Sequence, residues 1–217
     1  DWQIGFHLLR QMQDYGSSAD LITYNSLMRA CAKAAEWQEA LRCLSTLAAQ
    51  ELKADIISFN TCMNACEKGD VWETALHLFI EQQRQQQLGA VTATTSTFNS
   101  CIAACGKGKQ WPLAMNLLDL MAKSLIRRSI LSYMAAMSSC EGERWQQSLE
   151  LFWTMDGSGI APDVAAFNSC MNAVHWQVAQ DLLKCMLARK LQPTPLTYVA
   201  LINSCKFFEW PRALHFW

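Results

Sequence analysis

One short phrase recurs along this chain, and no other feature restricts its fold as strongly. The phrase begins with Thr or Ser, an aromatic residue and an asparagine, continues through small residues to a Lys or Gly break, and then reaches a tryptophan that is followed by three more residues. It reads TYNSLMRACAKAAEWQEA at 23–40, SFNTCMNACEKGDVWETA at 58–75 and TFNSCIAACGKGKQWPLA at 97–114. The tryptophans recur along the whole chain in steps of 31 to 39 residues: Trp2, Trp37, Trp72, Trp111, Trp145, Trp176 and Trp210. A step of about 35 residues is typical of helical-repeat proteins.

The phrase divides the 217 residues into repeats. Five are complete, at 21–55, 56–94, 95–129, 130–163 and 164–194, whereas 1–20 and 195–217 are partial. Each repeat carries two helical patterns; in the first repeat Leu27, Met28 and Cys31 recur at helical spacing, and Trp37 and Leu41 begin a second apolar stripe. One helical hairpin of this length cannot bury its apolar face, but stacked hairpins can. We therefore predict an all-α fold, a single right-handed α-solenoid of stacked helix–turn–helix repeats.

The tryptophans and the residues at the ends of the repeats have structural interpretations. Each tryptophan begins a second helix, so we predict that it packs between neighbouring helices and does not stack on bases. Asp20, Asp55 and Asp163 end their repeats directly before a first helix, where a carboxylate can cap the helix. These features are explained by folding alone.

The composition excludes several classes of function. The ten cysteines mostly occupy equivalent positions in the repeats, so we predict that they pack as small apolar residues and stay reduced. Without a C-x-x-C pair or a histidine cluster, the sequence predicts no metal and no cofactor. None of the four histidines accompanies a recognisable nucleophile or glycine-rich loop, so we predict that the chain is not an enzyme.

No stretch is long and apolar enough to span a membrane. The chain starts at Asp1 without a visible signal peptide, so we expect any targeting segment to lie outside it.

The repeated segments resemble a known family. DLITYNSLMRACAKAAEWQEALRCLSTL, DIISFNTCMNACEKGDVWETALHLF and PDVAAFNSCMNA are similar to pentatricopeptide repeats, in an array like that of the P class. The variant ACEKG…W…AL also resembles the long arrays of dinoflagellate organelles. The resemblance covers essentially the whole chain. It implies sequence-selective binding of single-stranded organellar RNA, with one base for each repeat.

The resemblance also implies which residues touch RNA. In this family the fifth and the last residue of a repeat read one base, which gives the pairs Asn25/Asp55, Asn60/Thr94, Asn99/Ser129, Met134/Asp163 and Asn168/Thr194. It implies U for Asn with Asp, C or U for Asn with Ser, a weaker pyrimidine preference for Asn with Thr, and poor reading by Met134. The second residue of a repeat is expected to wedge between bases, as Ile22, Ile57 and Leu131 would.

Simpler interpretations exist for the polar residues of this set. An asparagine near the start of a helix is often a cap or a turn former. Lys33, Lys68 and Lys107 end three successive first helices, where the family often contacts phosphate, but a lysine there also complements the C-terminus of its helix.

Two functions remain open at this point. The first is a sequence-selective RNA-binding adaptor in the processing, stability or translation of transcripts in a plastid or mitochondrion, with pyrimidine-leaning single-stranded RNA as partner. The alternative is a structural scaffold subunit of a large organellar assembly, such as a ribosome or a membrane complex, that binds mainly neighbouring protein subunits. The regular asparagines favour RNA. The formal charge of −1, the unequal repeat lengths and Met134 favour the scaffold.

Overall fold

The computed structural model describes residues 2–87, 93–140 and 144–205, and these residues form twelve α-helices and no strand. In chain order the helices are α1 Trp2–Asp14, α2 Leu21–Lys33, α3 Trp37–Ala49, α4 Ile56–Lys68, α5 Trp72–Gln87, α6 Thr95–Lys107, α7 Trp111–Lys123, α8 Ile130–Ser138, α9 Trp145–Gly157, α10 Val164–Ala173, α11 Trp176–Ala188 and α12 Pro195–Ser204. The all-α class and the helical-repeat architecture predicted from the sequence are confirmed.

The helices begin where the sequence carries start signals. Each first helix (α2, α4, α6, α8, α10 and α12) follows an Asp, Thr or Ser in extended conformation: Asp20, Asp55, Thr94, Ser129, Asp163 and Thr194. Asp55 Oδ1, for example, accepts a hydrogen bond from the backbone N–H of Ser58 at 2.8 Å. Such a cap satisfies a donor that has no partner within the helix. The second helices α3, α5, α7, α9 and α11 each begin at a tryptophan.

The chain separates into two compact units, the N-terminal unit Asp1–Gly108 and the C-terminal unit Lys109–Trp217. In the N-terminal unit α2 contacts α3 and α4, and α4 contacts α5 and α6. In the C-terminal unit α8 contacts α9 and α10, and α10 contacts α11 and α12. Within each unit a first helix therefore packs on its own second helix and on the first helix of the next repeat, which is how stacked hairpins share one core.

The cysteines lie in these cores, as predicted. All ten have free thiols; eight are buried, and Cys185 and Cys205 are partly exposed. Burial raises the pKa of Cys66 and of Cys105 to about 11, because the thiolate would lose its hydration there. The buried cysteines thus act as small apolar residues, and most of them lie on first helices that pack against one another.

The tryptophans pack on the next repeat, but they are not enclosed. Trp37 and Trp72 are partly buried and join the core of the N-terminal unit. Each indole lies against a glycine that follows the next first helix: a Cβ on Gly69 would be 2.4 Å from Trp37 Cδ1, and one on Gly108 would be 2.3 Å from Trp72 Cδ1. Each of these tryptophans is the first residue of its helix, next to the turn that joins the two helices of the hairpin. Trp210 lies outside the described residues.

The longest repeat, 56–94, and the shortest, 164–194, differ from the others in the lengths of particular helices and turns. The second helix α5 has 16 residues, against 13 in α3 and in α7, and the rest of the insertion in repeat 56–94 lies outside the described residues. The short repeat 164–194 has a first helix of 10 residues, and only Val174 and His175 join it to α11. The missing residues therefore shorten the end of the first helix and its turn. None of the described helices is both long and apolar enough to cross a membrane.

Candidate nucleic-acid interface

The first helices of the N-terminal unit line an open groove. Its lining includes one row of side chains from α4 (Ile57, Asn60, Asn64 and Lys68) and flanking side chains from α2 and α6. Asn60, Asn64 and Lys68 are spaced by four residues, so they follow one face of α4. The groove therefore presents, along a single helix, an apolar side chain, two amides and a cation.

The helix α2 presents an equivalent row. Asn25, Arg29 and Lys33 occupy the same positions in their repeat as Asn60, Asn64 and Lys68 do in the next. Arg29 and Lys33 line the groove directly. Both are exposed, and the described part of the chain contains no ion pair to either. Two cations without a carboxylate partner beside a row of amides are suited to an anionic polar ligand such as a phosphodiester.

The first predicted pair of reading residues comes together. Asn25 Nδ2 lies 3.3 Å from Asp55 Oδ1, although 30 positions separate the two residues. Ser58 completes the contact: its hydroxyl lies 2.7 Å from Asn25 Oδ1 and 2.8 Å from Asp55 Oδ1, so one proton is shared between two acceptors, and its backbone N–H donates to Asp55 Oδ1 at 2.8 Å. The fifth and last residues of repeat 21–55 thus meet at the start of α4.

The charge of Asp55 is stabilised at this site. Burial on its own would raise the pKa of Asp55, but hydrogen bonds from the backbone and side chain of Ser58 and from the Asn25 amide outweigh it, and the pKa lies below its usual value. Asp55 is therefore an anion at neutral pH, and it acts at once as a helix cap and as a partner of Asn25.

The second predicted pair is connected through a third residue. Thr97 Oγ1 donates to Asn60 Oδ1 at 2.7 Å and accepts from the backbone N–H of Thr94 at 3.1 Å. Thr94 is exposed at the start of α6, and Asn60 is partly buried. The interpretation of the asparagines as caps is wrong: Asn25 and Asn60 lie one turn inside α2 and α4, and the caps are Asp20 and Asp55.

In the other three predicted pairs, the last residue of the repeat also caps the next first helix, but the residue at the fifth position differs in its surroundings or its type. Asn99 lies partly buried on α6, and Ser129 caps α8 together with Ser132. Met134 lies on α8 and Asp163 caps α10, where it accepts from the backbone N–H of Ala166 at 2.8 Å. In the last pair Thr194 caps α12, and the buried Oδ1 of Asn168 has no hydrogen-bond partner.

The predicted wedge residues are exposed, although they are apolar. Ile22 is 73%, Ile57 47% and Leu131 64% accessible. A large exposed aliphatic side chain at the second position of three repeats has no role in the cores described above. Each of them is free to contact a planar ligand beside the reading residue of its repeat.

The three predicted phosphate ligands are not equivalent. Lys33 and Lys68 are exposed and line the groove. Lys107 Nζ instead donates to the backbone carbonyl of Glu67 at 2.8 Å and lies 3.5 Å from Asp70 Oδ1. It thereby stabilises the C-terminal end of α4, the first helix of the preceding repeat. The helix terminus that Lys107 contacts is thus that of α4, and not that of its own helix α6.

Sequence reasoning missed part of this surface. Arg29 and Asn64 were not predicted, although each follows a reading asparagine by four residues, which places it on the same helical face. The hydroxyls of Ser58 and Thr97 were also missed; the signal was the Ser or Thr that precedes the aromatic residue in most repeats. Within residues 2–87, 93–140 and 144–205, no three His, Cys, Asp or Glu side chains are close enough to hold a metal ion.

Comparisons with known proteins agree with this arrangement. The family model of the pentatricopeptide repeat domain matches residues 7–68, and that of the PPR repeat matches residues 96–124. Over 78 residues the chain is 30% identical to a pentatricopeptide repeat-containing protein of Arabidopsis thaliana, an alignment that covers 34% of this chain and 14% of that protein.

Solved structures share the fold. The chain superposes on the pentatricopeptide repeat protein PPR10 in complex with an 18-nt psaJ RNA element with a TM-score of 0.76 and 23% identity, over 99% of this chain and 31% of PPR10. It superposes on the PPR domain of Arabidopsis thaliana protein-only RNase P 1 in complex with tRNA with a TM-score of 0.63 and 16% identity, over 82% of this chain and 95% of that domain. The chain thus spans about a third of the PPR10 chain.

The stacked hairpins, each with a polar first-helix face, define a helical-repeat protein of the α-solenoid class. The matching family models describe it more narrowly: residues 7–68 and 96–124 match pentatricopeptide repeats.

Proposed function

We propose that this chain binds single-stranded RNA along the first helices of its repeats and selects pyrimidines. The contact between Asn25 and Asp55 carries the proposal, since it brings the fifth and last residues of one repeat together, and Asn25 lies one helical turn before Arg29, which lines the groove. An amide and a carboxylate offer the donors and acceptors that a base edge requires. The RNA complexes of PPR10 and of the protein-only RNase P domain support the same function by similarity of fold.

The surroundings of the pair are suited to a single strand. Exposed Ile22 and Ile57 would separate successive bases, and Arg29, Lys33 and Lys68 would contact the phosphates. Bases are accessible to such contacts only when they are unpaired. By the family pattern Asn25 with Asp55 reads U, Asn60 with Thr94 reads a pyrimidine weakly, Asn99 with Ser129 reads C or U, and Met134 reads poorly. The chain would act in an organelle as an adaptor without a catalytic step of its own.

The test is base selectivity of the isolated chain. We expect 10-nt oligo-U to bind at least about tenfold more tightly than oligo-A, since one well-made base contact is worth about 1–3 kcal/mol in nucleic-acid readout. Asn25→Thr should shift one position of the bound sequence towards G, because the family pairs Thr with Asp for that base. Fluorescence anisotropy at constant salt measures both effects. Equal affinity for oligo-U and oligo-A would contradict the proposal.

A scaffold in an organellar assembly is the second candidate. The observation that favours it is Trp153 on α9, which is 45% accessible although tryptophan is rarely left exposed. On α11, Leu187 is 52% accessible. Second helices with exposed apolar side chains would bind neighbouring protein subunits. Co-purification of the native protein with stoichiometric protein partners after nuclease treatment would favour this candidate over the RNA adaptor.

A further inference from the structure

A hydroxyl recurs at the third position of the first helices. The residue is Thr or Ser in five of them (Thr23, Ser58, Thr97, Ser132 and Thr197) and Ala166 in the sixth. In α4 and α6 this side chain is fully buried. Its oxygen lies 2.7 Å from the side-chain oxygen of the reading asparagine in the preceding repeat, in Ser58 with Asn25 and in Thr97 with Asn60. A buried hydroxyl needs a hydrogen-bond partner, and the preceding asparagine supplies it here.

These contacts determine how the amide of Asn25 is turned. A carboxylate only accepts hydrogen bonds, so the group that faces Asp55 Oδ1 at 3.3 Å is the NH₂ of Asn25. The amide oxygen then faces Ser58, whose hydroxyl proton is shared between this oxygen at 2.7 Å and Asp55 Oδ1 at 2.8 Å. One side of the amide is thereby occupied by the protein, and the NH₂ group retains a second hydrogen.

The amide of Asn60 is turned in the same way without a carboxylate. A distance of 2.7 Å is typical of O–H···O and short for N–H···O, so the atom of Asn60 that faces Thr97 is its oxygen. Thr97 Oγ1 also accepts from the backbone N–H of Thr94 at 3.1 Å and lies 3.3 Å from Thr94 Oγ1, so the shortest contact open to its proton is the one with Asn60. Both asparagines thus have their acceptor satisfied within the protein.

We infer that Ser58 and Thr97 are positioning residues for base selection: each holds the amide oxygen of the asparagine in the preceding repeat, so that only the NH₂ group faces the base. The inference rests on the proposed RNA-binding function. A reading group limited to donors selects a base that presents an acceptor, whereas an amide free to rotate offers either group and selects less. The specificity of a repeat is then set by three residues, and the third belongs to the next repeat.

The C-terminal unit provides a contrast. Where the reading position is Met134, which needs no such partner, the third residue of the next repeat is Ala166. Asn168 is followed by Thr197, but the buried Oδ1 of Asn168 has no partner, so its amide is not held in this way. We expect Asn168 to select bases less strongly than Asn25.

The experiment compares Ser58→Ala with two matched variants. Ser58→Thr keeps the hydroxyl. Thr23→Ala removes the corresponding capping hydroxyl from α2, where Thr23 Oγ1 donates to Asp20 Oδ1 at 2.7 Å. Each protein selects from a pool of randomised 10-nt RNA, and the base preference is read at each bound position. Ser58→Ala should lower the preference at one position about tenfold, a loss typical of one base contact, whereas the other two variants should keep the wild-type preferences.

A second measurement does not depend on RNA. The side-chain amide resonances of Asn25 in ¹⁵N-labelled protein should shift in Ser58→Ala and stay unchanged in Thr23→Ala. Thr97→Ala repeats both measurements at Asn60, in case Ser58→Ala does not fold. If Ser58→Ala lowers affinity but keeps all base preferences, or leaves the Asn25 amide unchanged, Ser58 is only a cap and the inference is overturned. If the wild-type protein shows no base preference at all, the proposed function fails as well.

Discussion

At the scale of single residues, the contact between a tryptophan and a glycine joins repeat 21–55 to repeat 56–94, and repeat 56–94 to repeat 95–129. Trp37 lies on Gly69 and Trp72 on Gly108, and in both places the glycine follows a first helix in a right-handed backbone conformation. Glycine is required there for space and not for a special backbone angle. The indole occupies the volume that a Cβ would need, so the smallest residue allows two hairpins to approach closely.

Gly69→Ala should therefore destabilise the protein. The added Cβ would lie 2.4 Å from Trp37 Cδ1 and force the indole outwards. Overpacking of this kind costs about 1–3 kcal/mol. Gly157→Ala is the control, because a Cβ at Gly157 meets nothing within 4 Å and alanine is the better helix former. Urea denaturation gives the free energy of unfolding of each variant. Equal stabilities of the two variants would show that the indole is not held on Gly69.

At the scale of helices, the first helix of a repeat has one face that the core does not explain. Its second, fifth, ninth and thirteenth residues follow one another along that face, as Ile57, Asn60, Asn64 and Lys68 do on α4. The opposite face carries the buried residues, among them Cys62, Met63 and Cys66. One face of α4 thus packs in the core and the other lines the groove. The cation Lys68 lies at the C-terminal end of that groove face, two turns beyond the reading asparagine Asn60.

The double variant Lys33→Gln/Lys68→Gln should bind every RNA sequence more weakly and respond less to salt. Each phosphate contact contributes about 0.7 to the slope of log affinity against log salt for a single strand, so two lost contacts should make the slope shallower by about 1.4. The ratio of oligo-U to oligo-A affinity should not change. Lys184→Gln on α11, where Lys184 pairs with Asp181 at 2.9 Å, is the control and should keep the slope. An unchanged slope in the double variant would exclude both lysines as phosphate ligands.

At the scale of the whole molecule, the stability of the N-terminal unit depends on thiols that must remain protonated. Cys31, Cys66 and Cys105 are fully buried, and burial raises the pKa of each to about 11. In the unfolded chain a thiol titrates near its ordinary pKa of 9.0. The folded protein therefore holds protons that the unfolded chain releases once the pH exceeds that value.

Stability should accordingly fall as the pH rises from 9 towards 11. The contribution of each buried thiol is fully present below pH 9 and is lost as the pH rises through the folded pKa, with a slope of at most about 1.4 kcal/mol per pH unit for each cysteine. Urea denaturation at pH 7.5, 9 and 10 measures the effect. The variant Cys31→Ala/Cys66→Ala should lose less stability between pH 9 and 10 than the wild-type protein does. Parallel losses in the two proteins would assign the alkaline sensitivity to other groups.

The repeat period, the class of fold and the helix starts were determined by the sequence, because each depends on local physics. Asp55 caps α4 through the backbone of Ser58, three positions away, and the apolar spacing that forms a helix is equally local. The equivalence of positions between repeats also followed from the sequence. It placed Asn25 and Asn60 at the same point of α2 and α4, and it predicted which lysines end the first helices.

The tertiary structure alone decided which of those residues meet and which are already engaged. Asn25 contacts Ser58 across 33 positions, and Lys107 reaches the carbonyl of Glu67 across 40, so neither contact could be read from a local pattern. Hydrogen bonds are short and directional, and a small shift between stacked hairpins makes or breaks them. The same stacking leaves Trp37 partly exposed and deprives Asn168 Oδ1 of a partner. The sequence thus determined the repeats and their positions, and the packing of one repeat on the next decided their contacts.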